Sequence, residues 1–152
     1  MSPEPFRLTS SAFREGGAIP RRFTCDGENV SPDLAWEGAP QATRGLALIV
    51  IDPDARDFVH WLVYDMSGSP AGGLPLGISA SPDAPFQGTN SFGKHGYGGP
   101  CPPSGTHHYQ FTLSALDKVL ELKGSPRVDA LRAAMAGHVL AEATLTATYH
   151  RS

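Results

Sequence analysis

Leu46-Ala47-Leu48-Ile49-Val50-Ile51-Asp52-Pro53-Asp54 is the stretch on which the reading of this chain turns. Six apolar residues follow one another, β-branched towards the end, and Asp-Pro stops them. A run this short and this apolar predicts a central strand buried on both faces. Proline has no N–H to give a ladder, so the sheet cannot continue past Asp52. An aspartate at that point projects into a cleft at the strand end, buried and hydrogen-bonded, with an imidazole as its expected partner. Asp54 reads equally well as a turn residue bonding nearby amides.

Working outward, His60 opens the next strand. Simple alternation puts His60, Leu62 and Tyr64 on one face and Trp61, Val63 and Asp65 on the other. Residues Ser67 to Thr106 hold most of the glycine and proline, which predicts little regular structure. Loops of that length in a compact fold are usually functional. From His107 a second clear strand follows. His107, Tyr109, Phe111, Leu113 and Ala115 share one face, and His108, Gln110, Thr112 and Ser114 the other.

Further on, Ser125-Pro126 reads as an N-cap with proline at the first helical position. Val128, Leu131, Met135 and Val139 recur at helical spacing, predicting one amphipathic helix to about Glu142. Leu145, Ala147 and Tyr149 then alternate with threonines in a closing strand, while Phe6 and Leu8 give a weak strand signal near the start. The fold class is mainly β, an antiparallel core with a peripheral C-terminal helix, over one domain spanning residues 1–152.

Hydrophobic residues make up 40% of the 152 and charged residues 18%, the balance of a globular protein. Net charge is −3 and no basic cluster occurs, which disfavours nucleic acid and anionic membrane surfaces as partners. No apolar run is long enough to span a bilayer and no signal-peptide core is seen, so the expected location is the cytoplasm. For Cys25 and Cys101 the expectation is two reduced thiols. The alternative, that they lie close together because each sits in a turn-rich loop, stays open.

Two imidazoles and a phenol, His60, His107 and Tyr109, can converge on one small site and donate hydrogen bonds to anionic oxygens. In Pro100-Cys101-Pro102-Pro103 only Cys101 has a backbone N–H to offer, and Gly98-Gly99 permits close approach to a ligand.

Several motifs occur together and in order: Phe23 to Pro32, Asp52-Pro53-Asp54-Ala55, His60-Trp61, Asn90-Ser91-Phe92-Gly93, Tyr97 to Pro103, and His107 to Tyr109. The set resembles the phosphatidylethanolamine-binding protein family, in particular its bacterial Raf-kinase-inhibitor-like branch. The resemblance implies a β-sandwich and a small pocket for phosphate, phosphorylethanolamine or similar anions. Carried over by position, Asp52, His60, the Cys101 amide, His107 and Tyr109 form that pocket. It further implies a binding and regulatory protein with no cofactor, acting on a kinase or protease partner and capable of homodimerising, and not an enzyme. A sharp strand-end turn makes Asp52–Pro53 a candidate cis bond.

Two positions depart from the family pattern: Arg56 stands where a second proline is usual, and His108 where arginine is usual. By alternation His108 points away from the pocket, so its replacement is expected to cost an ion pair with a carboxylate such as Asp54. Competing readings are weaker. A metal-dependent hydrolase would suit six histidines and two close aspartates, but no His-Glu-x-x-His is present. A serine or cysteine hydrolase lacks its Gly-x-Ser-x-Gly elbow, and Cys101 is wedged among prolines. A pure interaction module is the remaining alternative.

Overall fold

The structure is a computed structural model describing residues 5–152. The apolar run forms β3 (Gly45–Asp52), the middle strand of a five-stranded antiparallel sheet. Its neighbours are β4 (Phe58–Ser67) and β7 (Gly105–Leu116), with β6 (Phe86–Gln87) and β8 (Val139–Arg151) at the edges. A second antiparallel sheet combines β1 (Arg7–Thr9), β2 (Leu34–Glu37) and β5 (Gly72–Leu74).

Alternation along the large sheet sorts its side chains into two layers. Leu46, Leu48, Val50, Phe111, Leu113 and Leu145 face the small sheet, where Leu8, Leu34, Trp36 and Leu74 meet them to close a β-sandwich. Ala47, Ile49, Leu62 and Tyr64 face the other way, onto Leu131 and Met135 of α1 (Val128–Met135). The central strand is therefore covered on both faces, as its uninterrupted apolar run predicts. Burying a side chain such as Leu131 completely is worth roughly 1.5–3 kcal/mol, which holds so short a helix in place.

Strand β4 does not keep simple alternation. Val50 pairs with Trp61 and Ile51 with Val59, so His60 is an extra, unpaired residue in a β-bulge. The bulge turns His60 and Trp61 towards the same side of the sheet, and the His60 ring lies 5.2 Å from that of Tyr109. The expected grouping of His60 with Leu62 and Tyr64 is thus incorrect. A second shift, between Leu46 and Leu48, falls where Asp65 adopts a left-handed φ of 53°.

The expected helix is also too long. It ends at Met135, Gly137 reverses the chain at φ 81°, and Val139 to Glu142 open strand β8. Val139 kept helical spacing only by coincidence of period. Ser125 does not cap the helix; its hydroxyl bonds Thr89 and His95. The segment from Ser67 to Thr106 holds β5, β6 and a single 3₁₀ turn at Ile78–Ala80 within otherwise irregular chain.

Cys25 and Cys101 form a disulfide, with Cα atoms 5.4 Å apart, which overturns the expectation of two reduced thiols. Their loops are brought together by a backbone bond from Cys25 N–H to Pro100 O, 3.1 Å, that no local pattern announces. No helix among the described residues is long and apolar enough to cross a membrane.

Candidate functional site

At the ends of β3, β4 and β7 a pocket of about 200 Å³ opens among Asp52, His60, Phe92, Cys101, His107 and Tyr109. All five residues carried over from the motifs lie on it. Its volume is below the roughly 300–1,000 Å³ of sites for drug-sized molecules. A wider groove of about 390 Å³ runs beside α1, lined by Gln110, Thr112, Ser114 and Arg132. Those side chains, from β7 and α1, include no histidine or carboxylate pair, so the convergent chemistry is in the smaller pocket.

Asp52 reaches the pocket because β3 stops there. Its chain turns through Pro53–Ala55, and Asp52 Oδ1 accepts from Asp54 N–H at 2.9 Å. Among the described residues no peptide bond is cis, so the cis expectation at Asp52–Pro53 is incorrect. The reversal is made instead by that capped turn and by two consecutive left-handed residues, Arg56 at φ 55° and Asp57 at φ 58°. Proline is fixed near φ −65° and could not stand at position 56 in this backbone.

The second Asp52 oxygen, Oδ2, accepts from His107 Nδ1 at 2.6 Å, with both side chains largely buried. A carboxylate so placed holds the ring's orientation and tautomer, leaving Nε2 for a ligand. Tyr109, two residues along the same face, has its hydroxyl buried with no hydrogen-bond partner among the described residues. Burial first, and the Asp52 charge second, push its pKa far above the ordinary phenol value, so the hydroxyl keeps its proton.

His60 sits on the opposite wall. Its Nδ1–H donates to Gly98 O at 2.7 Å, and its ring is packed by Phe58 and Phe92 with centroids 5.1 and 5.7 Å away. Burial lowers its pKa, against smaller raising effects of the Gly98 carbonyl and the Asp52 charge. The expected role of His60 as a donor therefore needs revision: in the neutral ring the only N–H is already used.

The loop carrying Cys101 is held from three directions. Gly99 N–H donates to Asn29 Oδ1 at 2.9 Å, and a Cβ at Gly99 would overlap the Phe23 carbonyl. The disulfide ties it to Cys25. From β8, Arg151 donates to Pro102 O at 3.2 Å while pairing with Asp26 at 3.0 Å, and Tyr149 Oη donates to the same Asp26. Among the described residues the Cys101 amide has no acceptor within the chain.

His108 points outward as alternation requires, and its Nδ1 and backbone N–H both donate to Asp54 Oδ2, at 2.9 and 2.7 Å. The contact with Asp54 expected to be lost is made by the histidine through these two hydrogen bonds. These bonds hold the Asp54 carboxyl below its ordinary pKa.

Phe58, Phe92 and the Gly98 carbonyl also shape the pocket, and the sequence reading passed over them. The Asn90-Ser91-Phe92-Gly93 motif was the available signal for Phe92, whereas a backbone carbonyl leaves no mark in a sequence. As a metal site the set is poor. Both Asp52 oxygens are engaged, and the two imidazoles offer one nitrogen each, against three protein ligands in a typical catalytic zinc site. Among the described residues no group of three or more His, Cys, Asp or Glu could hold an ion.

The sequence profile of the family described as phosphatidylethanolamine-binding protein matches residues 9–150. An uncharacterised-family UPF0098 protein of Methanothermobacter thermautotrophicus is 47% identical over 150 residues, covering 95% of this chain and 98% of that protein. A UPF0098 protein of Chlamydia pneumoniae is 40% identical, covering 96% and 99%. The chain spans only 50% of a 42% identical relative from Archaeoglobus fulgidus. Among solved structures, a phosphatidylethanolamine-binding protein homologue from Chlamydia trachomatis superposes with a TM-score of 0.88 at 37% identity, covering 97% of this chain and 98% of that one. YbcL of Escherichia coli, described as a member of the mammalian family, gives 0.87 at 28% identity, covering 98% and 100%.

Proposed function

Because this chain belongs to the phosphatidylethanolamine-binding protein family, we propose that its pocket binds the phosphoryl end of a small phosphorylated molecule without turning it over. The observation that carries the reading is the Tyr109 hydroxyl, a protonated donor at the pocket with no hydrogen-bond partner among the described residues. A buried polar group left unpaired is costly, and a ligand oxygen removes that cost. The Cys101 amide supplies a further donor, and Asp52 orients the His107 ring with Nε2 left for the ligand.

The same inventory argues for binding over catalysis. Among the described residues the pocket holds no free thiol, since Cys101 is disulfide-bonded, and no serine or threonine lines it. Each oxygen of Asp52 already accepts a hydrogen bond within the chain. A binder of this kind fits a regulatory role in which head-group occupancy governs association with a kinase or protease. The Cys25–Cys101 bond favours an oxidising compartment over the reducing cytosol.

Calorimetric titration of phosphate and phosphorylethanolamine against the wild type, Tyr109→Phe and His107→Ala tests the assignment. A hydrogen bond to a charged group is worth roughly 1.5–3 kcal/mol, so each variant should bind about ten-fold or more weakly. Equal affinity in all three removes the site. Steady product release from a phosphoester, abolished by the same substitutions, makes the protein an enzyme.

A further inference from the structure

His60 differs from Tyr109 and the Cys101 amide in what it can offer. Its Nδ1–H is committed to the Gly98 carbonyl at 2.7 Å, so Nε2 is the nitrogen left for a ligand. The ring is enclosed by Phe58, Phe92 and Tyr109 and is only 3% exposed, an environment that disfavours charge. The charged and titratable groups around it are few. They are Asp52 from the end of β3, His107 and Tyr109 from β7, and Asp54 at the rim, already paired with His108. The Gly98–Pro103 loop adds backbone and a disulfide but no charge. A neutral His60 therefore presents a lone pair, in a site where Tyr109 Oη and the Cys101 amide are donors.

We propose that the pocket selects a phosphomonoester carrying one proton, whose P–OH donates to His60 Nε2 while its unprotonated oxygens receive Tyr109 Oη and the Cys101 amide. The inference rests on the phosphoryl-binding reading above and sharpens it. Sulfate, a fully ionised monoester and a phosphodiester all place an acceptor against an acceptor at Nε2, leaving both buried and unpaired. Sites built to bond a ligand hydroxyl reject analogues without it far more strongly than apolar sites reject a missing methylene. His60 is thus the specificity-determining residue, and the intact diester of a phospholipid is not the favoured occupant.

The experiment uses wild-type protein and three probes: methyl phosphate, dimethyl phosphate and sulfate, titrated calorimetrically from about pH 6 upward. A monoester loses its second proton near pH ~6, so methyl phosphate affinity should fall by roughly ten-fold per unit above that. Sulfate and dimethyl phosphate should bind at least about ten-fold more weakly than methyl phosphate near pH 6. Equal binding of sulfate and methyl phosphate overturns the proton requirement while leaving the phosphoryl site standing. Failure of every probe to bind overturns both. His60→Gln places an amide near the position of Nε2, able to turn its N–H towards the ligand, and should bring the two affinities together. Should that variant not fold, nitrogen NMR of the wild-type imidazole decides: Nε2 must be unprotonated in the free protein at neutral pH. An Nε2–H there overturns the proposal.

Discussion

Asp52 Oδ2 and His107 Nδ1 lie 2.6 Å apart across the ends of two adjacent strands, and neither side chain is more than 15% exposed. The carboxylate does two things at once, capping the turn through Oδ1 and fixing the imidazole through Oδ2. Asp52→Asn keeps the shape but removes the carboxylate that fixes the orientation and tautomer of the His107 ring. Phosphate affinity should fall by about ten-fold, read by calorimetry. A rise would mean that repulsion between the carboxylate and the anion outweighs its support of the ring.

Arg56 is a departure from the family pattern whose backbone explains it. At φ 55°, restoring the usual proline imposes a ring that demands φ near −65°. Arg56→Pro should destabilise by more than roughly 1 kcal/mol in urea unfolding, and Arg56→Gly should be tolerated. A stabilised proline variant would mean that the turn adopts the usual family conformation.

The disulfide joins residues 76 apart, and removing such a bond typically costs roughly 2–5 kcal/mol. Unfolding midpoints with and without reductant should differ accordingly, and Cys25→Ser with Cys101→Ser should match the reduced protein. Phosphate affinity should drop in parallel, because the Cys101 amide loses one of its tethers. Unchanged stability and affinity after complete reduction would leave the bond without a role.

Burial holds the His60 pKa below the ordinary histidine value in the folded protein. Below about pH 6.5 the unfolded chain then binds the extra proton more readily than the folded one. The contribution of neutral His60 is complete above that pH and is lost as pH falls towards the folded pKa. Wild type should therefore lose stability more steeply than His60→Gln on acidification below about pH 6.5. Parallel slopes would show that His60 charges freely in the fold.

Much of the sandwich was legible because its signals were local. The apolar run to Ile51 and the alternation from His107 to Ala115 each describe a strand whose neighbours on both faces are already decided by polarity. What escaped was non-local or conformational. Val139 continued a helical spacing although Gly137 had already turned the chain, and Cys25 and Cys101 meet only because their loops fold together. The bulge at His60 carries no residue type that marks it. At the site, side chains within ordered motifs could be named, whereas the Gly98 carbonyl and the ring of Phe58 are visible only once β4 is seen against its neighbours.

The bulge also makes the pocket sensitive to chain length in a way the core is not. Asp52 already pairs with Phe58 and Val50 with Trp61, so removal of Val59 alone would leave both pairings intact and close the ladder without an extra residue. His60 would then stand opposite Ile51 and face α1 instead of the head-group site. A one-residue deletion at this point would yield a sheet without the bulge and without the His60 imidazole in its pocket, so the length of β4 at this point decides recognition apart from the rest of the fold.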